Sequence, residues 1–107
     1  MVNPLPQIAI IEEEVMNNKR TIQPGKEIIG SKANSFRKKF LKIIEQGVKE
    51  LVMDFSGVKT IDSMGLGVIF ATNYTFENAG GKLWLINVPK EYHALCKAMR
   101  LDGYFKV

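Results

Sequence analysis

LVMDFSGVKTIDSMGLGVIF, at residues 51–70, is the stretch around which the rest of the chain is arranged. The apolar run at 51–55, interrupted only by Asp54, predicts a strand buried on both faces. Asp62 and Ser63 then precede a second apolar run with helical spacing, as N-cap residues do. This order places Asp62 and Ser63 at the positive end of a helix on the edge of a sheet, where functional sites of open α/β sheets gather.

The composition is that of one globular domain, which we expect to span residues 1–107. The chain is 46% hydrophobic and 24% charged, and its length permits a core without disulfides or metals. Cys96 is the single cysteine, which excludes an intramolecular disulfide and fits a reducing compartment. The pattern of a signal peptide is absent, and no apolar run reaches membrane-spanning length. We therefore expect a cytoplasmic protein without membrane insertion.

Apolar runs and turn residues predict four strands, including the central one. Residues 7–15 form an edge strand with a solvated end, and residues 19–23 return as the second strand of a hairpin after a turn at Asn17-Asn18. The central strand at 51–55 is followed by a helix and by a strand at 82–87. Strand, helix and strand with short links predict a right-handed crossover between parallel neighbours. The resulting fold class is α/β.

Three helices are predicted from periodicity and from capping residues. Ser31 or Asn34 caps the first helix, which ends near residue 46 with Gly47 as its stop. The second helix spans residues 63–79, and the third begins at Pro89 and ends near residue 100. The apolar residues of the tail at 101–107 are expected to dock on the body of the domain.

The net charge of +4 permits an acidic partner without requiring nucleic acid. Arg37, Lys38, Lys39 and Lys42 fall mainly off the apolar face of the first helix, and no aromatic residues alternate with them. This pattern favours a solvated helix surface over a nucleic-acid patch. No direct contact with nucleic acid is therefore expected.

The second helix is apolar on more than one side. Its predicted core face consists of Gly65, Val68, Ile69, Thr72, Phe76 and Ala79. A neighbouring stripe consists of Leu66, Phe70 and Tyr74 at i, i+4 and i+8. The stripe is either an apolar contact patch beside Ser63 or a surface covered by another element of the same domain.

Catalytic interpretations of this region are weak. From the local sequence alone, Ser63 is typical of a plain helix cap. A nucleophile elbow requires glycine two residues before the serine, where this chain has Ile61. The only histidine, His93, lies in another helix without a motif that links it to Ser63, and Cys96 is typical of a small core residue.

Cofactor and metal interpretations are equally weak. Gly65 and Gly67 after a strand suggest phosphate binding, but Phe70 occupies the place of the third glycine of a dinucleotide fingerprint. Asp54 and Asp62 lack the histidine or third carboxylate that a metal site needs at useful spacing. We therefore predict no catalytic residue, no metal and no cofactor.

DFSGVKTIDSMGLG at 54–67 resembles the signature of the STAS family, the anti-sigma factor antagonists. The resemblance extends through NAGGKL at 78–83 and ends with MRLDGYFKV at 99–107. The segment at 23–31 departs from the short, glycine-acidic turn that is commoner in the family. The fold implied by the resemblance is a single STAS-like domain with a mixed sheet of four to five strands and packed helices.

The function implied by the resemblance is phosphorylation-controlled protein binding. Such an antagonist binds an anti-sigma factor, often a serine kinase, and so frees a sigma factor; the kinase phosphorylates the antagonist and a phosphatase resets it. The family acceptor is a Ser or Thr in the two positions after the signature Asp62, here Ser63 and Met64. Because Met64 cannot accept phosphate, Ser63 is the expected acceptor. The residues expected to bind the partner are Asp62, Ser63, Met64, Gly65, Leu66, Gly67 and Phe70.

Three alternatives remain open at this point. If the cognate kinase needs a hydroxyl at position 64, this protein is not phosphorylated, and it binds its partner constitutively or is regulated in another way. The chain could instead be an unphosphorylated STAS subunit of a cytoplasmic complex, such as a lipid-transport ABC assembly. A nucleotide-binding enzyme is the third possibility, suggested only by the glycines after the strand.

Overall fold

The computed structural model describes residues 9–14 and 18–106, and for 9–14 the backbone alone. The strands are β1 (Ala9–Glu14), β2 (Lys19–Gln23), β3 (Glu27–Ile28), β4 (Glu50–Asp54), β5 (Thr60–Ile61) and β6 (Lys82–Ile86). The helices are α1 (Ala33–Glu45), α2 (Ser63–Asn78) and α3 (His93–Ala98). Single 3₁₀ turns lie at Gly30–Lys32, Lys90–Tyr92 and Asp102–Tyr104.

The main sheet is mixed, as expected. Its strand order is β1-β2-β4-β6, with β1 antiparallel to β2 and the other pairs parallel. The hairpin and the crossover from β4 through α2 to β6 are thereby confirmed. β1 lies at the sheet edge, but the expectation of a solvated end for this strand falls outside the described side chains.

β4 is buried on both faces, as its apolar run predicts. Leu51 and Met53 are fully buried and Val52 is 5% exposed, so side chains on both sides of the pleat are covered. α1 and α2 contact each other through an edge-to-face pair of Phe40 and Phe76, whose ring centroids lie 6.1 Å apart. This contact joins the C-terminal end of α2 to α1.

A second, two-stranded sheet was not expected from the sequence. β3 and β5 pair in parallel, and the backbone N–H of Asp62 donates to Ile28 O at 3.0 Å just beyond them. Two-residue strands are too short to show alternation, so periodicity could not find them. This small sheet joins the segment before α1 to the segment before α2.

The helix ends differ in part from the prediction. Neither Ser31 nor Asn34 caps α1: its N-cap is Lys32, without a side-chain hydrogen bond, because a 3₁₀ turn leads into the helix. Gly47 follows α1 with φ +83°, as expected of a C-terminal stop. The last helix is shorter than predicted, since its regular part is only α3 and its first turn is 3₁₀.

The tail docks as expected. Leu101 is fully buried, and Phe105 forms an isolated parallel bridge with Leu85 at the free edge of β6. Lys106 donates its backbone N–H to Leu85 O at 3.0 Å. Cys96 is buried in the core, where desolvation raises the pKa of its thiol, so its predicted role as a small core residue is confirmed.

Gly65 and Gly67 on α2 provide a matched test of how closely this helix approaches β3. A Cβ on Gly65 would collide with the backbone carbonyl of Ile28, whereas a Cβ on Gly67 would lie an ordinary 3.6 Å from Met99 Cε. Gly65→Ala should lower the free energy of unfolding by about 1–3 kcal/mol or more. Gly67→Ala should raise it by up to about 1 kcal/mol, because alanine favours the helix.

Denaturant unfolding of both variants checks this contrast. Equal stability changes for the two alanines would contradict the close approach of α2 to β3.

Candidate functional site

Asp62 is the N-cap of α2 and connects two segments. Its backbone is extended, with φ −125° and ψ 171°, and its Oδ1 accepts the backbone N–H of Gly65 at 2.8 Å. Its Oδ2 accepts the backbone N–H of Gly30 at 3.2 Å, and Gly30 belongs to the segment before α1. Ser63 is therefore the first residue of the helix, and its interpretation as the cap is wrong.

The carboxyl group of Asp62 is held ionised by these contacts. The hydrogen bond from the Gly65 backbone, followed by that from Gly30, holds its pKa below the usual 3.8. Its negative charge also lies at the positive end of the helix. The N-terminal donors that could have bound a phosphate of a nucleotide are thus already used in part by the protein itself.

Ser63 is exposed and chemically available. Within the described part of the chain its hydroxyl forms no hydrogen bond, unlike Thr72, whose hydroxyl donates to Val68 O at 2.7 Å. The next residue, Met64, is 69% exposed. A Cβ placed on Gly30 would lie 3.0 Å from Met64 Sδ, so the glycine leaves room for the methionine to lie across this loop.

The large hydrophobic side chains that are exposed in the described part of the chain all lie on α2. They are Met64 at 69%, Phe70 at 40% and Tyr74 at 66% exposure, and we call them the α2 ridge. Met64 adjoins Ser63, whereas Phe70 and Tyr74 lie about 10 Å and about 16 Å further along the helix axis. The ridge therefore extends from Ser63 along α2 as a set of exposed apolar side chains. Of the two alternatives for Phe70 and Tyr74, exposure favours a contact surface over cover by the same domain.

Leu66 does not belong to that surface. It is fully buried, so of the two alternatives for the stripe, cover by the same domain holds for Leu66. Each step of four residues turns a helix by about 40° beyond a full circle, so an i, i+4, i+8 row winds around the axis. The row therefore begins in the core at Leu66 and reaches solvent at Tyr74.

The predicted core face of α2 is largely correct. Its buried residues are Gly65, Leu66, Ile69, Thr72, Asn73 and Phe76. Val68 is only half-buried, and Ala79 is the exposed C-cap. Asn73 was missed because a polar residue carries no hydrophobic signal; its side-chain oxygen is buried without a hydrogen-bond partner among the described residues.

Asp54 belongs to a separate polar group at the end of β4. Its Oδ1 accepts Ser56 N and Asn87 Nδ2, each at 2.9 Å. Burial alone would raise the pKa of Asp54, but the hydrogen bonds from Asn87 and Ser56 outweigh it and lower the pKa below 3.8. These contacts give Asp54 a role in joining β4 to the loop after β6.

The other sequence candidates are not brought to Ser63. His93 is exposed, with Nε2 2.8 Å from Val88 O and its ring against Phe105. Gly65 serves the close approach to β3, as described above, rather than a phosphate loop. Among the side chains described for residues 18–106, no group of three or more is arranged to hold a metal ion. No helix in the described part of the chain is long and apolar enough to cross a membrane.

Comparison with known proteins identifies the family. The model of the STAS domain matches residues 11–107, and the chain therefore belongs to the STAS-domain family. This confirms the resemblance drawn from residues 54–67, 78–83 and 99–107. A comparison with curated proteins finds no match.

Solved structures share the fold at low sequence identity. The unphosphorylated anti-sigma factor antagonist SpoIIAA superposes with a TM-score of 0.75 at 20% identity, over 92% of this chain and 86% of the other. The phosphorylated form of SpoIIAA, a Bacillus cell fate determinant, gives 0.69 at 20% identity, over 92% and 89%. A putative anti-sigma factor antagonist of Thermotoga maritima gives 0.75 at 21% identity, over 90% and 86%.

A membrane transporter contains a similar domain. The murine anion transporter Slc26a9 gives a TM-score of 0.65 at 21% identity, over 77% of this chain but 14% of the transporter. The similarity is one of fold. The expected class, a single α/β STAS domain with a mixed sheet and packed helices, is thus confirmed.

The charge of Asp62 can be tested through the pH dependence of stability. Because its folded pKa is lowered, its ionised form stabilises the fold above pH 3.8, and this contribution is lost as the pH falls through the folded pKa. Asp62→Asn keeps an acceptor for Gly65 but has no carboxyl group to titrate. The wild type should therefore lose its stability advantage over Asp62→Asn as the pH falls from neutral through 3.8 and below it.

Melting temperatures of the two proteins across this range provide the measurement. A constant difference between them at all pH values would show that the ionised carboxylate of Asp62 contributes nothing specific. Asp62→Ala, which removes both hydrogen bonds, should melt below Asp62→Asn at neutral pH.

Proposed function

We propose that this protein is an anti-sigma factor antagonist that docks through the α2 ridge and is switched by phosphorylation of Ser63. The observation that carries the proposal is the position of Ser63, exposed at the first turn of α2 beside exposed Met64. Membership of the STAS family and a fold shared with SpoIIAA in both phosphorylation states support it. The proposed partner is an anti-sigma factor with serine kinase activity, and a phosphatase resets the switch.

The ridge fits the docking role because it is apolar, exposed and built on a rigid element. Burial of Met64 and Tyr74 against a partner removes apolar area that the free domain leaves in water. A few large side chains, tyrosine among them, commonly carry most of the binding energy of an interface when a partner buries them. Asp62 fixes the start of α2, so the ridge is presented without a large ordering cost.

Phosphorylation would change the charge of this surface and leave the fold intact. A phosphate adds about −1.5 to −2 charge at neutral pH, directly beside the ionised Asp62. The Gly65 N–H is already occupied by Asp62, so the phosphate cannot use it, and the helix terminus offsets the two adjacent anions only in part. A partner that covers Ser63 would have to desolvate two adjacent anions, which opposes binding.

Ser63→Asp tests the separation of binding from folding. An aspartate at the first turn of a helix is tolerated, so the free energy of unfolding should stay within about 1 kcal/mol of the wild type. Affinity for the partner should fall at least about tenfold, whereas Ser63→Ala should bind as the wild type does.

The partner for this measurement is the protein that the immobilised wild-type chain retains from extracts of its own cells, identified, purified and titrated by calorimetry. Equal affinity of Ser63→Asp and Ser63→Ala with intact folds would contradict the switch. Retention of the ATPase subunit of a transport complex, in place of a serine kinase, would contradict the antagonist function.

Truncation of the ridge tests the docking surface itself. Met64→Ala and Tyr74→Ala should each weaken partner binding about tenfold or more, because each removes an exposed apolar contact. Their melting temperatures should stay close to the wild-type value, since neither side chain is buried. Asn78→Ala, at the exposed last residue of α2, is the control and should bind normally.

Calorimetric titration of the same partner provides the readout. Wild-type affinity of both ridge variants would place the docking surface elsewhere on the domain.

A further inference from the structure

We infer that the partner of this protein places an acidic segment on a basic surface beside the α2 ridge. That surface, which we call the basic face, consists of Arg37, Lys38, Lys39 and Lys42 on α1 together with the groove between α1 and α2. The inference rests on the proposed function and adds the chemistry of the partner to it.

The groove gives the basic face a shape that can hold a chain segment. An open groove of about 240 Å³ is lined by Arg37 and Leu41 on α1 and by Ala71, Thr72 and Thr75 on α2. A hollow of about 450 Å³ adjoins it through Leu41, and its other lining residues are Lys38, Lys39, Lys42 and Glu45. Leu41 and Ala71 thus give the groove an apolar part, and the charged residues around it are cations with the exception of Glu45.

The charges of the basic face are unpaired. Arg37, Lys38 and Lys42 are exposed, and within the described residues none of them forms an ion pair or a side-chain hydrogen bond. Lys32, the N-cap of α1, is by contrast paired, because its Nζ lies 2.6 Å from Glu27 Oε1. Lys38 and Lys42 are spaced i, i+4, where like charges destabilise a helix. An acidic segment would relieve this repulsion.

The basic face is continuous with the α2 ridge. Ala71 and Thr75, which line the groove, lie about 100° around α2 from the ridge residues Phe70 and Tyr74, so the groove is the next strip of the helix surface. A partner seated on the ridge therefore also reaches the groove. Complementary charge at the border of an apolar contact steers association and fixes the orientation of the partner.

The same charges explain how a phosphate on Ser63 would act on this partner. An acidic segment is attracted by the basic face and repelled by a dianion at the start of α2. Phosphorylation would therefore replace part of the attraction by repulsion within one interface. A neutral segment would not be repelled by the phosphate in this way, so the repulsion is a property of an acidic partner.

The surroundings favour a protein segment over a lipid surface or a nucleic acid. The outward side of α1 offers no exposed large apolar residue that could enter a bilayer, because Leu41 is half-buried and lines the groove. On α1 no exposed aromatic side chain is available for base stacking, because Phe36 is half-buried and Phe40 fully buried. The exposed aromatics of the adjoining α2 ridge, Phe70 and Tyr74, are assigned to the protein partner by the proposed function.

Charge reversal provides the test. Lys38→Glu/Lys42→Glu is compared with Lys59→Glu/Lys90→Glu, in which two exposed lysines of the β4–β5 connection and of the turn before α3 are replaced. Both pairs lower the net charge equally, but only the first changes the basic face. Calorimetry with the purified partner retained by the wild-type chain is run at about 50 mM and about 300 mM salt.

The first pair should weaken binding at least about tenfold at low salt and remove most of the salt dependence, while the control pair changes affinity less than about threefold. Equal effects of both pairs, or normal binding by the first pair with an intact fold, would overturn the inference. Because the proposed function is tested separately through Ser63 and the α2 ridge, these failures would leave it standing.

Vesicles of phosphatidylglycerol and an oligo-dT strand are the remaining probes. Tighter binding of either probe than of the partner, lost in the first pair, would assign the basic face to lipid or nucleic acid and also overturn the inference.

Discussion

The carboxylate of Asp62 is the contact on which the candidate site depends. One of its oxygens begins α2 by accepting the Gly65 N–H, and the other holds the loop at Gly30. Together with the short β3–β5 sheet, this contact joins the segments before α1 and α2. Ser63 follows Asp62 directly, so the same interaction that starts the helix also places the serine on the surface.

Close packing on one side of α2 leaves the other side free to bind. Gly65 lies so close to Ile28 that no side chain fits between them, and Leu66, Ile69 and Phe76 fill the core. Because residues four apart lie about 40° further around the helix, Phe70 and Tyr74 face solvent. A partner can therefore meet a rigid, partly apolar helix, whose border with α1 carries positive charge. In this account a phosphate on Ser63 changes the electrostatics of that surface while the packing beneath it stays the same.

The main elements could be predicted because their signals are long. The apolar run of β4, the glycine that ends α1 and the crossover from β4 to β6 each involve a pattern or residue with one dominant structural meaning. The β3–β5 pair and the 3₁₀ entry to α1 depend on tertiary contacts of a few backbone groups, which leave no periodicity. The sequence offered both Asp62 and Ser63 as cap residues, and it could not show that the carboxylate of Asp62 also binds the Gly30 loop, which is distant in sequence. Whether Leu66, Phe70 and Tyr74 are exposed or covered stayed open, because an i, i+4 row winds around the helix and its members do not share one environment.

The most direct measurement is the phosphate occupancy of Ser63 in protein isolated from its own cells. Trypsin cleavage after Lys59 and Lys82 releases residues 60–82, and fragmentation of this peptide distinguishes Ser63 from Thr60, Thr72, Tyr74 and Thr75. The account predicts a phosphate on Ser63 whose occupancy changes with growth conditions. A peptide that stays unmodified under all conditions, or carries its phosphate only on another hydroxyl, would contradict the central claim.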